Sequence, residues 1–597
     1  MDSIQAFGTS SDFSVKEAVK KMTRKLKRDA GSRGPSKFWP RMRAKGTSGF
    51  AALSAGTLAA ASLALVTVPV QAKQVDMATA PLVVTGDYGS PGLTENFNPF
   101  GAGHLEGVDY IYEPMYVVTS LNGRKTPWLA TKYSWVNPKE LTFTLRSGVK
   151  FSNGTPFTSQ DVVYTFNLLK KYPALDTNAV WTSLASVTAQ GNQVVFKFKT
   201  TDVPEWYYIA TTPIVDAAQF SKVKNPVTFT NPDPIGTGPF TLGSFTPSEY
   251  ILKYNPNYWQ RSKVHIPEID FVALTTNTIT DEGLASGKFD WGDVFVPNQQ
   301  KTFIAKNPAH NFSWQPYANP WVLYLNLTKW PFNQLKFREA LAYAINRHQI
   351  VTRGEYGYMK PAYQSLIPPA LQAQGWASTS LAAHYNYHFN LAKAAHLLAQ
   401  MGLKKNAAGK LLGKNGKPLT FTLEVPAGWT DIIQDSEFMA KDFEKLGITV
   451  NLVTPSPSTV GNNMDTGEFQ MADYYSSGAI ADPYTIYHDM LSSSETAPIG
   501  KVAPSNWERW NNAATNKLLA EWQQTVSVKK QKQIAVQLQK IMLTQLPFVT
   551  IDYGVFWNQY TTVHYVGWPN AKNPYAAPSA TDWPDDLLVM THLKPAK

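Results

Sequence analysis

The sequence predicts a multi-domain α/β protein, and three observations carry that expectation. At 597 residues the chain exceeds what one hydrophobic core usually holds, so two or three domains are expected. Between Leu141 and Leu169, Leu141, Phe143 and Leu145 alternate with Thr142, Thr144 and Arg146, the period of a half-buried strand. Asn153-Gly154 then marks a turn, and Thr158 opens a helix as N-cap with Asp161 three residues on. Val162, Phe166 and Leu169 give that helix one apolar face. From Leu419 to Val453 the pattern is strand, helix, strand: Leu419, Phe421, Leu423 and Val425 alternate with polar residues, and Met439, Phe443 and Leu446 share a helical face. Gly447 ends that helix and Ile448–Val453 is again strand-like. This spacing is that of a right-handed crossover in an α/β sheet.

The first 72 residues read as an export leader. Arg41, Arg43 and Lys45 precede an apolar run from Phe50 to Val68, and Val70-Gln71-Ala72 supplies small residues at −3 and −1. Cleavage is therefore expected after Ala72, leaving Lys73 as the mature N-terminus. The alternative is an uncleaved membrane tether, because the run approaches the ~20 residues that span a bilayer. Translation from either Met1 or Met42 fits the pattern. The net charge of +11 belongs largely to this leader: residues 1–72 hold 12 Lys/Arg against 4 Asp/Glu, and the remainder holds 43 against 40. A nucleic-acid partner is not expected once the leader is set aside.

There is no cysteine, which excludes disulfides, thiolate metal sites, a cysteine nucleophile and a lipid-modified N-terminal cysteine. No G-x-S-x-G, H-E-x-x-H, phosphate-binding loop or strand-linked G-x-G-x-x-G occurs, so no enzyme, cofactor or metal centre is expected. A secreted glycoside hydrolase is the remote enzymatic alternative, since carboxylate pairs such as Asp585-Asp586 exist. Tryptophan and tyrosine are abundant, at 18 and 28. Each indole offers a flat apolar face and one N–H, which suits sugar rings and peptide side chains alike.

Several ordered segments carry a family resemblance: Pro127-Trp128-Leu129-Ala130, the Leu141–Leu169 run, Asp233-Pro234-Ile235-Gly236-Thr237-Gly238-Pro239-Phe240, Tyr254–Trp259, and Gly287-Lys288-Phe289-Asp290-Trp291. Phe337-Arg338-Glu339-Ala340 and Ala344-Ile345-Asn346-Arg347 continue the series. Together they resemble the family 5 extracellular solute-binding proteins, receptors that feed ABC importers of peptides, nickel chelates and oligosaccharides. The resemblance implies a periplasmic binding protein fold, type II-like and of cluster C: two closing lobes plus an extra domain, mixed sheets and a hinge. It implies lobe I from 73–112, 233–320 and 546–597, lobe II from 113–232, and lobe III from 321–545. It also implies an inner-membrane permease with ATPase subunits as partners, a small-molecule solute, a monomer and a periplasmic location.

For the ligand, the resemblance points to loops after residue 320. Peptide-binding members place an Asp four residues before a Pro to pair with the ligand ammonium. Here Ser477-Gly478-Ala479-Ile480-Ala481-Asp482-Pro483 puts Ala479 at that position and Asp482 at a second acidic one. A buried ammonium without a partner costs several kcal/mol, so Ala479 argues for an oligosaccharide over a peptide. Asp473 is an alternative anchor. The tail Tyr565-Val566-Gly567-Trp568-Pro569 with Asn573-Pro574-Tyr575 resembles that of oligosaccharide-binding members. The expected site comprises Trp429, Trp507 and Trp510 as stacking platforms, Trp321 and Tyr324 near the hinge, and Asn98, Asn511 and the backbone at Gly478 as hydrogen-bonding groups.

Overall fold

In the computed structural model, residues 76–88, 92–274, 276–385, 387–478 and 480–597 are described. The export leader and its cleavage position after Ala72 lie outside them.

Two mixed sheets anchor the two larger lobes. The first has seven strands in the order Asn311–Ser313, Gln559–Thr561, Trp291–Gly292, Leu82–Tyr88, Glu268–Leu274, Glu249–Tyr254 and Phe240–Thr246. Leu82–Tyr88 runs parallel to Glu268–Leu274, and the last three strands form an antiparallel meander. The second has six strands in the order Lys360–Pro361, Val549–Val555, Tyr317–Leu325, Met471–Tyr475, Thr420–Glu424 and Thr449–Val453. The expected crossover is present here: Thr420–Glu424 pairs in parallel with Thr449–Val453, joined by the helix Thr430–Lys445. Met439, Phe443 and Leu446 are buried in the core beneath. Gly447 ends the helix at φ +87°, and a Cβ there would stand 2.4 Å from the Gly409 carbonyl oxygen.

Lobe II is built on a four-stranded antiparallel sheet, Ala130–Asn137, Glu140–Leu145, Gln193–Phe198 and Leu184–Gln190. Leu141, Phe143 and Leu145 point into its core while Thr142 and Thr144 are half-buried. The helix Ser159–Lys171 starts in a complete capping box. Thr158 Oγ1 accepts from the Gln160 N–H at 3.2 Å, and the Thr158 N–H donates to Asp161 Oδ2 at 2.8 Å.

Two glycines in the 233–240 segment allow a close backbone approach. A Cβ on Gly236 would lie 1.9 Å from the Ile111 carbonyl oxygen, and one on Gly238 2.5 Å from that of Tyr110. The Gly238 N–H donates to Ile111 O at 2.8 Å, locking this segment to the chain entering lobe II.

The sheets part from the expected lobe bounds at 317–320 and at 546–555, both expected in lobe I. Residues 317–325 and 549–555 are central strands of the second sheet, so they belong with lobe III. The chain crosses between the sheets at 314–316 and 556–558, where Trp314 N–H donates to Asn558 O and Phe556 N–H to Pro316 O. These antiparallel segments form the two-stranded connection. Across from it, Val203 N–H donates to Gln523 O at 3.0 Å and Gln374 Nε2 to Asn122 O at 2.8 Å, so lobes II and III touch.

Candidate functional site

Lobe III presents a group of aromatic rings where its strands end. The antiparallel register sets Trp321 opposite Tyr475. Trp429 sits at the N-cap of the helix Thr430–Lys445, behind Gly428 at φ +87°. Its ring stacks on Tyr474 at 5.5 Å and meets Trp321 edge-on at 5.9 Å. Trp321 also meets Tyr475 edge-on at 6.0 Å, and Trp507 meets Tyr474 at 5.9 Å. Trp507 is oriented by its Nε1–H donating to Asp465 Oδ1 at 2.9 Å. Trp321, Trp429 and Trp507 are half-buried and Tyr475 is exposed. This surface can stack on flat apolar faces.

The structure does not place the other expected residues on that surface. Tyr324 is fully buried beneath it, donating its hydroxyl to Tyr475 O at 3.2 Å, which makes it a support for the rings. Trp510 is buried in the core, with its indole N–H donating to Thr515 Oγ1 at 3.3 Å. Asn98 has no exposure: its amide donates to Pro226 O and Phe229 O at 2.9 and 3.0 Å, and its Oδ1 accepts from the Phe100 N–H. That carboxamide ties a loop together and, fully buried, is out of a ligand's reach. Asn511 is exposed and lies outside the cavity described next. Asp482 stands just ahead of the helix Tyr484–Leu491 and accepts from its first N–H, that of Tyr484, at 2.8 Å. Ala479 lies outside the described residues. Asp473 is buried, with Oδ2 accepting from Ser436 Oγ at 2.9 Å.

Gly478, following Tyr474 and Tyr475, lines a cavity of about 1000 Å³ that all three lobes enclose. Phe100 and Trp583 come from lobe I, Tyr207 and Tyr208 from lobe II, and Tyr484 from lobe III. Seven carboxylates also line it: Glu106 and Asp109 from lobe I, Asp176, Asp202 and Glu205 from lobe II, Asp489 and Glu495 from lobe III. Among the described residues its wall includes two histidines, His104 and His488, and no lysine or arginine.

Most of these polar groups are held. Asp176 accepts from the backbone N–H groups of Val180 and Trp181, and Asp202 Oδ2 accepts from Ser183 Oγ at 2.6 Å and Gln523 Nε2 at 3.4 Å. His488 stacks on Tyr484, with Nδ1 3.3 Å from Asp489 and Nε2 3.7 Å from Glu495. Burial works against the imidazolium, but the hydrogen bond and charge of Asp489, with Glu495 and Asp202, outweigh it and raise the His488 pKa. Burial raises Asp202, and it pushes Glu205 well above the usual carboxylate range, helped by the charges of Asp202 and Asp176. Glu205, Tyr474, Tyr475 and Trp583 escaped the sequence reading. Only the Tyr474-Tyr475 pair, just ahead of the 477–483 loop, carried a local signal.

Among the described residues no three His, Asp or Glu side chains are arranged to hold a metal ion. No helix among them is long and apolar enough to cross a membrane. A cleft between lobes, walled by rings and hydrogen-bonding groups, is the arrangement of a solute receptor.

The comparisons agree with that class. The model of the middle region of the bacterial extracellular solute-binding proteins, family 5, matches residues 125–498. The chain belongs to this family, whose members are substrate-binding components of ABC importers, and it is a binding protein and not an enzyme. It is 28% identical to the nickel-binding periplasmic protein of Escherichia coli K12, over 64% of this chain and 72% of that one. It is 23% identical to the periplasmic oligopeptide-binding protein OppA of Salmonella typhimurium, over 77% and 84%. Among solved structures, a periplasmic oligopeptide-binding protein of Thermotoga maritima with mannohexaose bound superposes with a TM-score of 0.79. It is 26% identical, covering 86% of this chain and 98% of that one. AppA of Bacillus subtilis, in complex with a nonapeptide, shares the fold at 21% identity and a TM-score of 0.71, covering 87% and 100%.

Proposed function

We propose that this receptor captures an oligosaccharide between its lobes and hands it to a membrane permease, working as a periplasmic monomer released by cleavage after Ala72. The observation that carries this reading is the makeup of the 1000 Å³ cavity: aromatic rings and carboxylate acceptors, with no lysine or arginine among the described lining residues. A sugar offers many hydroxyl donors to such acceptors and apolar C–H faces to the rings. The ligand carboxylate of a zwitterionic peptide would meet no lysine or arginine among the described lining residues. The likeness to a structure holding mannohexaose supports the same choice. Lobes I and III would close on the ligand about the crossings at 314–316 and 556–558, shifting the population toward a form the permease recognises.

The second reading is a peptide receptor. It is favoured by the same carboxylates, which match a ligand ammonium, and by the relatives that bind oligopeptides.

A thermal-shift panel of manno- and cello-oligosaccharides against di- to pentapeptides separates the two. A ligand at 100 Kd adds ~2.7 kcal/mol of stability. Sugars are expected to raise Tm and peptides to leave it unchanged. Stabilisation by peptides alone would overturn the oligosaccharide reading.

A further inference from the structure

One turn of lobe II touches both other lobes. It joins the antiparallel strands Tyr116–Val118 and Lys125–Pro127. Thr119 N–H donates to Arg124 O at 3.0 Å, Gly123 N–H to Thr119 O at 2.7 Å, and Arg124 N–H to Asn122 Oδ1 at 3.1 Å, so the turn holds its own shape. On the lobe I side it is bonded: Ser120 N–H donates to Asp585 Oδ2 at 2.7 Å, and Arg124 Nη2 donates to Tyr575 O. On the lobe III side it mostly abuts. Asn122 O accepts from Gln374 Nε2 at 2.8 Å, and Gly123 lies bare against the backbone of the 477–483 loop. A Cβ on Gly123 would stand 2.6 Å from Ile480 O and 2.9 Å from Ala481 Cα. Its φ of +69° lies in the left-handed region that glycine adopts freely.

The abutting loop is the one that lines the solute cavity through Gly478 and Ile480. Phe556, in one of the two crossings, and Tyr317, beside the other, share a crevice with Ser120, Asn122 and Ile480. The turn therefore stands beside the connection about which the lobes swing, fixed to lobe I and met by lobe III. We propose that the turn Thr119–Arg124 is the stop for lobe III, with Gly123 and Gln374 as positioning residues. Seating of the 477–483 loop on Gly123 sets how far the cleft closes and where Gly478 and Ile480 stand at the cavity wall. A side chain at 123 would hold the loop off its seat by roughly 1 Å, the distance a Cβ must withdraw to reach van der Waals contact. The Gln374 bond strengthens the seat without shaping it. Lobe II thereby gains a task besides lining the cavity: it backs the loop that lobe III presents to the solute.

This proposal rests on the solute-receptor reading of the cleft and not on which solute fills it. The chain has no cysteine, so Val136→Cys on lobe II and Val502→Cys on lobe III, both exposed, give a pair of nitroxide labels clear of the turn. Pulsed dipolar spectroscopy on the labelled mature chain, without solute and with mannohexaose, is expected to show a short-distance, seated component. Gly123→Ala should displace that component outward by about 1 Å or more. Gln374→Ala should leave its distance in place and cut its share relative to the open form about twofold or more. Should Gly123→Ala fail to fold, Gln374→Ala, at an exposed side chain, decides. Distances and shares that stay as in wild type in the folded variants overturn the stop, as does the lack of a seated component in both conditions. So does a Gly123→Ala chain whose urea midpoint falls while the seated distance stays, because the glycine then serves only the turn. A seated component that mannohexaose does not enrich, yet Gly123→Ala displaces, upholds the stop and counts against the oligosaccharide reading.

Discussion

The capped helix of lobe II and the carboxylates beneath the aromatic rings of lobe III are both buried, yet they are solvated by the protein in opposite ways. Asp161, at the start of the lobe II helix, accepts from the Thr158 N–H, the Thr158 hydroxyl and the Ala217 N–H at 2.8, 2.9 and 3.3 Å. In lobe III, Glu355, Asp435, Asp473 and Asp552 are each 2% exposed or less; the Glu355 and Asp435 carboxyl groups have only each other to share a proton with, and Oδ1 of Asp473 and of Asp552 has no partner. The guanidinium of Arg347 is nearby, but its Nε and Nη1 are spent on the carbonyls of Thr550, Ala342 and Tyr387. Where donors are built in, a buried carboxylate organises local structure. Where they are missing, protons must take their place, and the region becomes sensitive to pH.

The largest expected effect follows from that second case. Burial, then the charge of Asp431, push the Asp552 carboxyl up to about 8 against the opposing pull of Arg347, and burial pushes Asp431 up to about 6. Both folded-state values exceed those of the unfolded chain, so the folded state holds more protons between pH 4 and 8. The stabilisation is complete below the unfolded pKa near 4 and is lost as pH rises through the folded values. Each such carboxyl contributes a slope of up to about 1.4 kcal/mol per pH unit. Urea titrations of the mature chain should therefore show stability falling from pH 5 to pH 8. Asp552→Asn should remove part of that slope and be the more stable form at pH 8. If the variant keeps the wild-type slope, the contrast between the two regions does not hold.

A smaller effect probes the donor-rich side. The turn of the 141–169 segment is tied to the glycine-rich stretch, since the Ser152 N–H donates to Gly236 O at 2.8 Å. Gly236→Ala would put a methyl group 1.9 Å from the Ile111 carbonyl oxygen and 2.7 Å from its carbonyl carbon, against backbone that cannot swing aside. A loss of about 3 kcal/mol is expected, the same at pH 5 and pH 8. A Tm within about 2 °C of wild type would show that the approach is not the constraint it looks to be.

These two regions also differ in how far the sequence announces them. The strand Glu140–Leu145, the turn at Asn153-Gly154 and the Thr158 cap depend on neighbours within a few residues, so alternation and turn chemistry suffice to read them. The crossover from Thr420 to Val453 is legible for the same reason. The lobe III carboxylates come from a helix end, a helix, and two strands near residues 355, 435, 473 and 552, and only the sheet order brings them together. Asn98 looked available as a polar loop residue, but partners more than 120 positions away had already used it. Trp510 looked like a platform because indole chemistry is the same in a cleft and in a core. Glu205 left no signal at all, since an unpartnered oxygen is a property of what surrounds it.

The smallest prediction tests whether the lobe II cap is a purely local device. Thr158→Ala removes the acceptor for the Gln160 N–H and one of the three donors to Asp161, while the Thr158 N–H keeps its bond to that carboxylate. Loss of a Ser/Thr cap costs about 1 kcal/mol, and the remaining backbone bond should hold the effect near or below that value. The urea midpoint should drop with no change in m, and the decrement should be the same at pH 5 and pH 8. Solute affinity should not move, since Thr158 lies outside the cavity wall. A decrement that grew with pH would sink the reading of the cap as a local device. The lobe II cap would then share the proton dependence of the lobe III carboxylates.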